Sequence, residues 1–168
     1  MIKELETLNL DKIVLELFSA TNWSDTKIVL TGGISNYGVS EKVYAMHVST
    51  GKWQYSLPDL NTARHSHASI TLEDQVFVAC GKGTFNNTLL SSVEMLDMAK
   101  GDQAWTLISI GMTSRQNPVF SPINSDQLMI MGGNLSWRTF SNSYMLSHKT
   151  LQVYETDPYS EIAVQQYG

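Results

Sequence analysis

The sequence has 168 residues, a formal net charge of −5 and a charged fraction of 16%, below the roughly 25% of an average soluble domain. Because Lys and Arg form no cluster or stripe, the composition excludes sequence-independent attraction to nucleic acid. No apolar run approaches the about 18 residues of a membrane span, and no signal-peptide pattern follows Met1. These features predict one cytoplasmic domain with neither a membrane nor a nucleic acid as its partner.

Three segments are predicted along the chain. In the first of them, Ile2, Leu5 and Leu8 have the spacing of a short amphipathic turn. The long middle segment repeats one pattern three times, and the last is a tail or the start of a further strand. The predicted boundaries are 1–13 for the N-terminal segment, about 14–61, 62–112 and 113–156 for the repeats, and 157–168 for the tail.

A glycine turn that ends a short apolar run marks each repeat. The leading glycines are Gly32, Gly81 and Gly132, which lie 49 and 51 residues apart. A fixed period of 20 to about 50 residues is typical of repeat architectures. In the middle turn, Lys82 is predicted to replace the second glycine, and Gly83 to supply the missing backbone freedom.

Each repeat is predicted to form four short strands. In the second repeat these are 67–72, 75–80, 92–98 and 104–108, rich in Val, Ile, Phe and Trp and separated by turn-forming residues. Connections this short favour antiparallel neighbours. The prediction is therefore an all-β chain built from four-stranded antiparallel sheets.

Two further markers recur around the glycine turns. Arg64 lies 17 residues before Gly81, and Arg115 lies 17 residues before Gly132, whereas the first repeat has Leu15 at that place. Tryptophans stand late in the first two repeats, where large apolar side chains suit the space between neighbouring sheets. We interpret these tryptophans as core residues.

This set of markers resembles the kelch family. The segment from Arg64 to His67 has the family's Arg-x-x-His pattern, and the first repeat has the Gly-Gly pair followed by Tyr44 and Trp53. The resemblance implies kelch-type β-propeller blades, about three of them, in a partial or open propeller. Propellers usually need four to eight blades. A chain with three blades therefore has three possible arrangements: an open wedge, a dimer that completes a six-bladed ring, or a piece of a larger propeller or assembly.

Residues with chemical potential are few. Cys80 is the only cysteine, and its position at a strand end predicts a buried small side chain. His65 and His67 have a spacing that could hold a metal, but the family pattern makes His67 a structural histidine. Kelch propellers also occur in galactose oxidase and in sialic-acid epimerases, and a fragment of such an enzyme is the enzymatic alternative. We expect no catalytic activity, no metal and no cofactor.

Protein binding is the predicted function. The loops 34–40, 83–90 and 134–140, the rim loops, follow the glycine turns and are expected at one rim of the propeller. Rigidly held loops with aromatic and arginine side chains are typical of interfaces. In kelch adaptors, arginines near the first strand capture acidic motifs, so an acidic or phosphorylated segment is a possible partner. The alternative is a structural subunit that other chains complete, by self-association or in a larger assembly. The predicted partner-binding residues are Tyr37, Arg64, Phe85, Arg115, Trp137 and Arg138.

Overall fold

The computed structural model describes residues 15–54, 57–86, 88–101, 103–108, 111–135 and 138–156. The regular structure in these ranges is β-structure throughout, which confirms the all-β prediction. No helix within them is long and apolar enough to cross a membrane. The predicted amphipathic turn and the predicted C-terminal tail lie outside the described residues.

Sheet I contains four antiparallel strands from the first repeat. They are β1 (Ser19–Ser24), β2 (Lys27–Thr31), β5 (Val43–His47) and β6 (Lys52–Gln54), in the order β1-β2-β5-β6. The first rim loop holds a small separate hairpin, formed by β3 (Ile34–Ser35) and β4 (Gly38–Val39), between the second and third strands of the sheet.

Sheet II repeats this arrangement. Its strands are β7 (Ala68–Leu72), β8 (Gln75–Ala79), β9 (Val93–Asp97) and β10 (Thr106–Ile108), neighbours in chain order and antiparallel. The four predicted strands of the second repeat are thus confirmed, with ends that differ by one or two residues. All residues of β9 and all but the first of β8 are buried, as expected for central strands between two packed faces.

Sheet III is the third copy. It is formed by β11 (Val119–Pro122), β12 (Gln127–Met131), β15 (Ser143–Ser147) and β16 (Val153–Thr156), in the order β11-β12-β15-β16. A second small hairpin, β13 (Asn134–Leu135) with β14 (Arg138–Thr139), occupies the third rim loop.

Two hydrophobic cores hold the three sheets together, with sheet II in the middle. The first strands of the sheets lie side by side, since β7 contacts both β1 and β11. Full burial of one Val, Leu, Ile or Phe side chain contributes about 1.5–3 kcal/mol. The core of sheets I and II contains Val29, Val43, Leu60, Val76, Val78, Leu96 and Trp105. The core of sheets II and III includes Phe77, Met95, Ile108, Leu128, Ile130, Tyr144 and Leu146.

The strand register places Cys80, and not Gly81, at the first glycine position of the middle turn. The last residues of β2 and β8 pair with the first residues of β5 and β9, so Gly32 corresponds to Cys80 and Gly33 to Gly81. Cys80 has a left-handed φ of 62°, close to the 59° of Gly32. The prediction that Lys82 replaces the second glycine was therefore wrong by one position. The β7–β8 hairpin before this turn is one residue shorter than the β1–β2 hairpin, which concealed the shift.

Candidate functional site

Arg64 lies completely buried, with its guanidinium group bonded inside sheet II. Its Nη1 donates to the carbonyl oxygens of Cys80 (2.9 Å) and Ser92 (3.3 Å). Its Nη2 donates to Ser92 Oγ (3.1 Å) and to Glu94 Oε1 (2.5 Å). Burial lowers the pKa of Arg64, and the neighbouring Glu94 carboxylate acts in the opposite direction. Planar donors of this kind match several acceptors at once, which suits Arg64 to a fixed internal role.

Glu94 is the buried carboxylate that completes this site. Besides the guanidinium, it accepts the backbone amides of Asn61 (2.7 Å) and Thr62 (3.1 Å), and neither charged side chain is exposed. Buried charges need a partner and hydrogen bonds to be tolerated. Glu94 was not among the predicted site residues, although an acidic residue between the apolar Val93 and Met95 of strand β9 was the available signal.

Arg115 has the equivalent role in sheet III, with neutral acceptors. Its Nη1 donates to the carbonyl oxygens of Gly132 (2.8 Å) and Asn142 (3.2 Å), and its Nη2 donates to Asn142 Oδ1 (3.0 Å). The guanidinium carbon lies 5.0 Å from the ring centroid of Tyr144, which stands where sheet II has Glu94. Burial lowers the pKa of Arg115.

The backbone of each arginine joins one sheet to the preceding one. Gly33 N donates to the carbonyl oxygen of Arg64 at 2.8 Å, and Gly81 N donates to that of Arg115 at 2.9 Å. The arginine backbone therefore contacts one glycine turn while its side chain bonds to the next sheet. Both arginines thus connect consecutive repeats.

This geometry separates the six predicted partner-binding residues into groups. Arg64 and Arg115 have no exposed surface, so they are not presented to a partner and act inside the sheets. Tyr37 and Phe85 lie at the tips of the first two rim loops and are 97% and 79% exposed. Trp137 and the side chain of Arg138 lie outside the described residues.

Short backbone bridges hold the rim loops beside the arginine segments. Residues that follow the arginine position pair with the start of each loop, in the bridges His65 with Lys82 and Gln116 with Asn134. The same bridge occurs in the first repeat between Glu16 and Ile34. The structure thus places the start of each rim loop beside the arginine position of its own repeat.

The first repeat has no arginine at the equivalent position. The bridge of Glu16 with Ile34 aligns Leu15 with Arg64 and Arg115. Half-buried Leu15 lines a cleft of about 390 Å³, together with Tyr37, Ser40, Lys42 and Tyr44. This cleft opens beside the first rim loop.

His67 links sheets I and II at the glycine turns. Its Nε2 lies 2.8 Å from Thr31 Oγ1, and no hydrogen-bond partner of its Nδ1 is found among the described residues. Burial, assisted by the positive charge of Arg64 and by His65, lowers the pKa of His67 to about 3. The imidazole is therefore neutral in the folded protein, in agreement with the structural role predicted for it.

The low pKa of His67 predicts a loss of stability in mild acid. Between its folded pKa of about 3 and the unfolded value of about 6.5, only the unfolded chain binds the proton, so stability falls as pH falls. Across pH 6.5 to 5 we expect this residue to contribute a loss of about 2 kcal/mol. Urea unfolding at both pH values measures it. His67→Gln should remove this contribution and His47→Gln should keep it, while equal slopes in all three proteins would contradict the prediction.

The thiol of Cys80 is expected to be unreactive. Burial raises the pKa of its thiol to about 12, so almost no thiolate forms near neutral pH. Its side chain is fully buried, as the sequence predicted. Among the residues that the structure describes, no three His, Cys, Asp or Glu side chains are grouped so as to hold a metal ion.

No protein-family model matches this sequence, and no curated protein matches it either.

Proposed function

We propose that the chain is a kelch-type propeller segment that binds a protein partner through the tips of its rim loops. The three sheets are its blades, and the adjacent first strands β1, β7 and β11 line the inside of an open ring. The chain acts as a scaffold or adaptor and not as an enzyme. Support comes from the repeated four-stranded sheets and from the glycine and arginine positions that recur with them.

The observation that carries this proposal is the exposure of two large aromatic side chains at equivalent places. Tyr37 and Phe85 are 97% and 79% exposed, although backbone bonds from Ser40 N to Gly33 O and from Leu90 N to Gly81 O close the ends of their loops. Aromatic residues are enriched among the side chains that dominate binding energy, and exposed ones on rigid loops favour an interface.

The burial of the two arginines changes the kind of partner that we propose. An acidic or phosphorylated segment was expected because Arg64 and Arg115 match the arginines that capture acidic motifs in kelch adaptors. Both guanidinium groups instead bond within the sheets, so that expectation loses its support. The proposed interface is aromatic, with polar loop backbone around it.

Substitution of the two tip residues tests this function. Tyr37→Ser and Phe85→Ser should each weaken partner capture at least about tenfold, because each removes a large apolar contact of the kind that dominates interfaces. Capture can be measured by quantitative pull-down with the purified variants. Val48→Ser, which removes an exposed side chain after β5, is the control and should bind like the wild type. Unchanged capture in both tip variants would exclude this surface.

A structural subunit completed by other chains is the second candidate. Its support is the face of sheet I opposite Val29, where half-buried Ile28, Leu30, Met46 and Trp53 alternate away from sheet II. Such a face suits a further blade from a second copy. Sedimentation equilibrium distinguishes the two candidates, because a stable monomer that binds no apolar dye would count against the subunit.

A further inference from the structure

We propose that a second copy of the chain joins this one head to tail, so that the first repeat of one copy packs on sheet III of the other. Two identical junctions then close a ring of six sheets. The inference rests on the second candidate above, the subunit completed by other chains, and it names the partner and the residues that meet.

Two backbone hydrogen bonds recur where one repeat meets the next. A glycine amide of one repeat donates to the carbonyl oxygen of the arginine in the following repeat, as described above. The amide of the same arginine donates back to the last residue of the preceding rim loop. Arg64 N donates to Ser40 O at 3.1 Å, and Arg115 N donates to Leu90 O at 3.2 Å.

A third bond lies two positions later, at residues with a left-handed backbone. Leu17, Ser66 and Asn117 have φ values of 55°, 52° and 52°, which identifies them as equivalent. Ser66 N donates to Leu17 O at 2.9 Å, and Asn117 N donates to Ser66 O at 2.7 Å. The same three bonds thus join sheet I to sheet II and sheet II to sheet III.

The equivalent atoms of sheet III and of the first repeat have no such bond within the described ranges. In sheet III these atoms are Gly133 N, Phe140 O and Asn117 O, and Phe140 is the last residue of the third rim loop. Leu15 O of a second copy would accept the Gly133 amide, and its Leu15 N would donate to Phe140 O. Its Leu17 N would donate to Asn117 O. The donors and acceptors of the two ends therefore match in number and order.

Burial differs at the two ends as expected for surfaces that a neighbouring repeat covers elsewhere. Residues 31–33 and 79–81, at the first two glycine turns, are buried, whereas residues 131–133 of sheet III are half-buried. In the first repeat Phe18 is 44% exposed, whereas its equivalent His67 is 7% exposed. Each end thus has an open surface of the kind that is covered between consecutive sheets.

The side chains of the two ends are also complementary. Between sheets I and II, the His67 ring lies within hydrogen-bond distance of Thr31 Oγ1, at the end of β2. Sheet III has Met131 at the place of Thr31, and the first repeat has Phe18 at the place of His67. Both members of a polar pair are thus replaced by apolar residues, and a thioether packs favourably against an aromatic ring. This joint replacement favours a second copy as the occupant.

Two copies are the number that closes a ring. A head-to-tail contact either closes into a ring or continues as a filament. Propellers usually have about four to eight blades, and two copies of three sheets supply six. A two-fold axis then relates the two junctions.

Mixed disulfide formation tests the direction of the contact. Ser19 Oγ lies 2.8 Å from Ser69 Oγ, and Ser69 is one position beyond the equivalent of Ser19. The same offset places Val119 beside Ala20 of the second copy. A mixture of Ala20→Cys and Val119→Cys chains should therefore form a disulfide-linked dimer on oxidation, because adjacent strands allow the required Cα separation. Neither variant should form one alone.

Val119→Lys tests the strength of the contact by sedimentation equilibrium. Val119 is 57% exposed in the single chain, and a charge there would be buried without a partner in the junction. We expect the dissociation constant of the dimer to rise at least about tenfold. Leu107→Lys is the matched control, since Leu107 is 55% exposed in β10 of the middle sheet, and it should dimerise like the wild type. A monomeric wild type, a disulfide of either cysteine variant with itself, or an unchanged dimer in Val119→Lys would each overturn the proposal.

Phe85→Ser separates this inference from binding through the rim loops. Phe85 lies at the tip of the loop of the middle sheet, so this variant should lose partner capture and keep the dimer. If the tip variants capture the partner normally while the mixed disulfide forms, only binding through the rim loops fails. If capture depends on the tips but no mixed disulfide forms, only the present inference fails.

Discussion

Arg64→Met is expected to destabilise the protein by about 3–5 kcal/mol, because it leaves the buried Glu94 carboxylate without its cation. The two side chains are fully buried and joined at 2.5 Å. With a total stability of about 5–15 kcal/mol for a typical domain, such a loss approaches unfolding. Urea denaturation followed by tryptophan fluorescence measures the change in the free energy of unfolding.

The double variant Arg64→Met/Glu94→Met separates an unpaired charge from lost packing. Because it leaves neither member of this buried pair without its partner, it should be less destabilised than the sum of the two single variants. Lys42→Met is the control: it breaks a pair with Asp59 in which the two side chains are 42% and 33% exposed, so it should cost at most about 1 kcal/mol. Losses for Arg64→Met as small as this control would show that the pair is not essential to the fold.

Gly133→Ala should also be severe, with a loss of about 3 kcal/mol or more. Gly133 has a φ of 83°, and a Cβ there would lie 2.7 Å from the backbone oxygen of Gln116 and 3.3 Å from Pro118 N. Neither backbone atom can move without disturbing the bridge between Gln116 and Asn134. The strain of a left-handed backbone and the steric overlap with the Gln116 oxygen both contribute to this loss of stability.

The adjacent Gly132 offers a matched control in the same turn. Its φ is 57°, but among the described residues a Cβ there would have only Phe140 O nearby, at 3.8 Å. Gly132→Ala should therefore cost only the conformational penalty of about 1–2 kcal/mol. Cys80 already occupies the equivalent position with a φ of 62°. Equal losses in the two variants, measured by thermal unfolding, would contradict the backbone contacts assigned to the second glycine.

The sequence predicted the regular structure well because strand periodicity and turn residues are local signals. In the second repeat, predicted and observed strands differ by only one or two residues at their ends. The period also located Leu15 at the arginine position. Short, frequent turns leave few ways to arrange such strands, which explains this success.

The site was harder to predict, because burial depends on neighbours that are distant in sequence. Arginine is a residue type that is common at interfaces, so Arg64 and Arg115 were predicted to bind a partner. Their hydrogen-bond acceptors are instead residues of the chain itself, 16 to 30 positions later in the sequence. Glu94 was missed for the same reason. The one-residue shift at Cys80 was not predicted because the three repeats were aligned on their glycine residues and not on their backbone conformation.

The buried arginines and the exposed aromatics thus separate two roles on one edge of the molecule. The arginines join consecutive sheets and support the rim loops, while Tyr37 and Phe85 at the tips of the first two loops remain exposed. A rigid support that presents a few large side chains reduces the entropy lost on binding. We propose that this division underlies the function of the chain.

Site-specific photocrosslinking tests the proposed interface most directly. A photoreactive amino acid is placed at position 37, at position 85, or at position 50 in the exposed turn between β5 and β6. The proposal predicts that positions 37 and 85 crosslink the same partner and that position 50 does not. Crosslinking from position 50 alone, or equal crosslinking from all three positions, would contradict binding through the rim loops.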